Sequence, residues 1–63
     1  MKIIVRSTKN ADNWQVVLFK DDGEYKTALV DIHQQKHGVD TYITAEMALA
    51  EYVKRCEWNG VEA

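Results

Sequence analysis

The clearest periodic signal in this chain is a single helical stripe near its C-terminus, and the segments before it read as strands. Ala45, Ala48, Leu49, Tyr52, Val53 and Cys56 fall within one broad arc at 100° per residue, which predicts a helix with one buried side. Thr44 stands where its hydroxyl can accept an orphan N–H of the first turn, and Glu46 favours the positive end of the helix dipole. Lys54 and Arg55 occupy the last turns, and Asn59-Gly60 offers a left-handed stop. A helix of about 13 residues is roughly 20 Å long. It can cover one face of a small sheet and no more.

Three β-rich segments precede it. Lys2 to Thr8 carries Ile3, Ile4, Val5 and Thr8 and runs into the polar cluster Lys9-Asn10-Ala11-Asp12-Asn13. Trp14 to Lys20 ends at Asp21-Asp22-Gly23, where glycine can supply the positive φ of a hairpin with a bulge. Glu24 to about Ile32 alternates Tyr25, Thr27 and Leu29 with Lys26, Ala28 and Val30. Residues His33 to Gly38 read as irregular, and Val39 to Ile43 is a candidate fourth extended segment. The expected fold is α+β with two layers: a three-stranded antiparallel sheet, or a four-stranded one, packed by one C-terminal helix in the order β-β-β-α.

At 63 residues the chain has room for one domain, spanning residues 1–63, and a domain of this size buries only about 60% of its unfolded surface. Ten acidic against eight basic side chains give a net charge of −2, which argues against general affinity for nucleic acid or anionic membrane. The single cysteine, Cys56, excludes an internal disulfide framework and points to a reducing, cytoplasmic setting. No apolar run is long enough to span a membrane.

The strands carry more apolar surface than one helix can bury. Trp14, Val16 and Leu18 point one way, while Val17 and Phe19 point the other; Ile3 and Val5 likewise oppose Ile4. The helix repeats this excess on its outer side, where Met47 and Trp58 lie eleven residues apart, about three turns, with Lys54 beside them. Either the His33 to Ile43 segment covers the second sheet face, or a partner does. The expected protein interface comprises Ile4, Val17, Phe19, Met47, Lys54 and Trp58.

Candidate chemistry is sparse. His33 and His37, with Asp31 and Asp40 nearby, have the spacing of a helical metal pair but sit in a segment that does not read as helix, so no metal is expected. Cys56 lies on the buried stripe at a helix C-terminus, where the dipole disfavours a thiolate. No phosphate loop, nucleophile elbow or paired catalytic carboxylate is present in the sequence, and the chain reads as non-enzymatic, without cofactor or small-molecule substrate.

In size, acidity and lack of a catalytic motif the chain is similar to accessory proteins of bacteriophages and mobile elements, which bind and block a host protein. That resemblance and the apolar surplus imply a small regulatory or inhibitory binding protein, self-associating as a homodimer or docked on another protein. The alternative is a nucleic-acid binder using Phe19 on an open sheet face, with Lys2, Arg6, Lys20 and Lys26 as its cations.

Overall fold

The computed structural model describes residues 2–61. It contains β1 (Lys2–Lys9), β2 (Gln15–Asp21), β3 (Glu24–Val30), β4 (Lys36–Tyr42) and α1 (Ala45–Trp58). The strands form one antiparallel meander in the order β1-β2-β3-β4, and α1 lies over β2, β3 and β4. The fold is the expected two-layer α+β domain, with the fourth strand present.

Each connection has a local cause. The Asn10 side-chain carbonyl accepts the backbone N–H groups of Asp12 and Trp14 at 2.9 and 3.0 Å, and Asn13 takes a positive φ of 64°. This closes the first loop with side-chain chemistry that asparagine supplies readily. Between β2 and β3 the loop is only Asp22-Gly23, both at positive φ (51° and 82°), flanked by the pair Asp21↔Glu24. That is a two-residue turn of the primed type, whose twist matches the strands. The expected bulge is absent from this hairpin. The irregularities lie instead between Ile4 and Arg6 on the β1 side and between Thr27 and Leu29 opposite β4.

The third connection explains why β3 stops at Val30 and β4 starts at Lys36, earlier than Val39. Asp31 accepts the N–H groups of His33 and Gln35 on one carboxylate oxygen, at 2.8 and 2.9 Å, while its own N–H donates to the Gln35 carbonyl at 3.0 Å. The chain therefore reverses within five residues, and Lys36 and His37 pair with Val30 and Leu29. Gly38, at φ 60°, absorbs the register shift. The segment from 33 to 43 thus extends the sheet sideways and does not cross its second face.

The helix begins as expected. Thr44 is extended, and its hydroxyl accepts the Met47 N–H at 3.2 Å. At the other end the Val61 N–H reaches the Cys56 carbonyl at 2.8 Å and the Gly60 N–H reaches Glu57 at 3.2 Å. With Gly60 at φ 69°, this is a Schellman stop. Val61 then packs against the core.

Two clusters are buried. Between helix and sheet lie Val16, Leu18, Ala48, Tyr52 and Cys56, flanked by Tyr25, Leu29, Tyr42 and Val53. Thr27 is fully buried on the same face, its hydroxyl 3.4 Å from that of Tyr42. On the opposite face Val17, Phe19, Ala28 and Val30 form a second cluster. Among the described residues no helix is long and apolar enough to cross a membrane.

Candidate interaction surfaces

The second sheet face is built from β2 and β3 residues that the ladder sets side by side, Val17 against Ala28 and Phe19 against Lys26. β1 adds Ile4 beside Phe19. No helix lies here, yet Phe19 is only 2% exposed. Its cover is basic. The Lys2 and Lys36 ammonium groups stand over the Phe19 ring at 5.2 and 4.9 Å from its centroid, so the lysine stems shield the aromatic ring while their heads remain at its surface. Lys36 is held below its ordinary lysine pKa, first by direct contact with Lys2, then by burial, with Lys26 adding to the repulsion and Asp21 opposing it. Phe19 is therefore capped and is not an open stacking platform.

The expected nucleic-acid set divides between the two faces. Arg6 pairs with Leu18 and Lys20 with Tyr25, which puts both on the helix side of the sheet. There the Lys20 ammonium lies 5.3 Å from the Tyr25 ring centroid. Lys26 alone of Arg6, Lys20 and Lys26 shares the Phe19 face, joined by Lys2 and Lys36. Lys36 escaped the sequence reading because its place depends on the Asp31 turn, which sets the β4 register.

The expected protein-interface residues also separate. Val17 and Phe19 are buried within the chain's own cover, whereas Ile4 (54%), Met47 (52%) and Trp58 (73%) are exposed, as is Lys54. Ile4 belongs to edge strand β1, where Ile3 and Val5 are also exposed. Met47, Lys54 and Trp58 share the outer face of α1 with Glu51, at steps of four, three and four residues along the helix. The inner side is occupied by Ala48, Tyr52 and Cys56. Glu51 is the member of this stripe that the apolar pattern did not reveal, because a carboxylate between apolar positions reads as an ordinary solvated residue.

Asp31, His37 and Arg55 each have structural partners, although the buried Arg55 Nε makes no hydrogen bond. His37 Nε2 lies 2.8 Å from the second Asp31 oxygen, and its ring sits 5.4 Å from that of Trp14. The Asp31 carboxyl is held below its ordinary value, chiefly by the His37 contact and then by the Gln35 N–H. Arg55 bridges helix to sheet, donating to the Gly38 carbonyl and to Asp40. Burial pushes the Cys56 thiol up and, together with Cys56 itself, raises Tyr52. Among the described residues no group of three or more His, Cys, Asp or Glu side chains is placed to hold a metal ion.

Compared with protein-family models, with curated proteins and with solved structures, the chain matches none.

Proposed function

We propose that this protein is a small, non-enzymatic binding module of regulatory type, and that it acts through the outer face of α1. The observation that carries the reading is Trp58. It is 73% exposed at the end of a helix that buries Ala48, Tyr52 and Cys56 against the sheet, and Met47 stands on the same face three turns earlier. Keeping an indole in water forgoes the stabilisation its burial would supply, and tryptophan is among the residues most enriched at binding hot spots. Ile4 on the β1 edge is a separate exposed apolar position, outside this stripe.

A photo-crosslinking amino acid placed at position 58 tests the reading, with one at Glu24, on the β2–β3 hairpin, as control. Crosslinks to protein formed from position 58 and absent from position 24 support it. None from position 58 in a folded protein contradicts it.

The basic cover of Phe19 favours a second reading, a polyanion-binding surface on the second sheet face. The Lys2 and Lys36 ammonium groups repel each other, and an oxyanion bound between them relieves that repulsion. On that reading oligonucleotide affinity falls steeply with salt and drops at least tenfold in Lys36→Gln. Absence of binding at low salt rejects it.

A further inference from the structure

The outer stripe of α1 is self-complementary. Met47, Glu51, Lys54 and Trp58 follow the four-three-four spacing of a heptad seam, and they are placed symmetrically: Met47 and Trp58 lie equally far from the midpoint between Tyr52 and Val53, as do Glu51 and Lys54. We infer that this face binds a second copy of the chain, the two α1 helices crossing antiparallel about a two-fold axis at that midpoint, with Met47 against Trp58 and Glu51 against Lys54 on each side of the axis. The inference rests on the binding role proposed for this face and names its occupant.

Charge selects both the occupant and the direction. In the antiparallel arrangement each Glu51 meets a Lys54, so the centre of the seam holds two opposite-charge pairs, and the apolar side chains close both ends. A parallel arrangement in the same seam sets Glu51 against Glu51 and Lys54 against Lys54, which is repulsive. A two-fold contact also requires that residue i meet j while j meets i, and the four positions satisfy that condition without any gap. Another exposed apolar segment, the β1 edge, lacks this property. Its charged residues Lys2, Arg6 and Lys9 are all basic, so pairing with itself brings like charges together, and such lysines guard an edge against its own copy. The 14-residue helix is about 21 Å long. One such helix pair buries less than a standard stable interface, so the dimer exchanges with monomer in a concentration-dependent way.

Sedimentation equilibrium of the wild-type protein and two charge variants tests the pairing. Glu51→Lys makes the centre of the stripe wholly basic, and Lys54→Glu makes it wholly acidic. Each variant alone should dimerise at least tenfold more weakly than wild type. Mixed in equal amounts, they should associate at least as tightly as wild type, because every central contact then joins opposite charges. Circular dichroism checks that each substitution leaves the fold intact, and the mixture provides its own rescue. A wild-type protein that stays monomeric at millimolar concentration overturns the inference, as does a mixture that associates no better than its components. The mass of the crosslinked product from position 58 separates this failure from that of the binding role. Twice the chain mass supports self-pairing, a different protein's mass leaves the binding role standing without it, and no product removes both.

Discussion

Asp31 shows how much one residue can organise in a small domain. Its carboxylate accepts two backbone N–H groups and faces His37, so it closes the β3–β4 turn and sets where β4 begins. Its pKa is lowered from the ordinary 3.8, and a carboxyl depressed on folding contributes stability that is fully present above its unfolded value and lost as pH falls through the folded one. Acid titration followed by circular dichroism should show folding weakened below about pH 4, as that principle requires. The variant Asp31→Asn should lose stability at neutral pH and be less sensitive in that acid window. An unchanged acid midpoint contradicts this role. Phe19 makes the complementary point on the apolar side. Because lysine stems cover it, Phe19→Ala removes a core residue and should cost about 3–5 kcal/mol in urea denaturation. A loss below about 1 kcal/mol, the size expected of a surface change, shows that the ring is solvent-facing.

At the scale of elements, the helix was legible because its signals are local. The Thr44 cap, the buried stripe and the Asn59-Gly60 stop each act within one or two turns; cap and stop have the expected geometry, whereas the stripe is narrower than expected, with Ala48, Tyr52 and Cys56 buried and Ala45 and Leu49 exposed. Thr44→Ala should lower stability by about 1 kcal/mol, measured as a fall in melting temperature; no change shows that the Met47 N–H is equally well served by water. The first two strands were legible to within a residue for the same reason, their ends being fixed by Asn10 and by Asp22-Gly23. The β4 start was not. Lys36, His37 and Gly38 have little strand propensity of their own, and they are held extended by the Asp31 turn and by pairing with Val30 and Leu29. Register in a long-range pair is a tertiary property, which is why Lys36 could not be placed beside Phe19 and why Arg6, beyond the β1 irregularity, could not be assigned to the helix side; Lys20 could have been, because it follows Phe19 in one strand and adjacent residues face opposite ways.

At the scale of the whole molecule, the chain solves its excess of apolar surface in two different ways. On the sheet it spends lysines: Lys2 and Lys36 close over Phe19, and Val17, Ala28 and Val30 are buried without a second layer of secondary structure. On the helix Met47 and Trp58 stay exposed. The sequence pattern predicts surplus on both sides because it counts apolar residues and cannot see which long side chains fold over them. This difference separates a covered face from an available one, and it underlies the proposal that binding belongs to the outer helix. Amide and side-chain NMR spectra recorded over a hundredfold range of protein concentration test that claim directly. Shifts that grow with concentration and cluster at Met47, Glu51, Lys54 and Trp58, while Val17 and Phe19 stay fixed, are the predicted result. Shifts that instead cluster around Ile4, Val17 and Phe19 contradict the account.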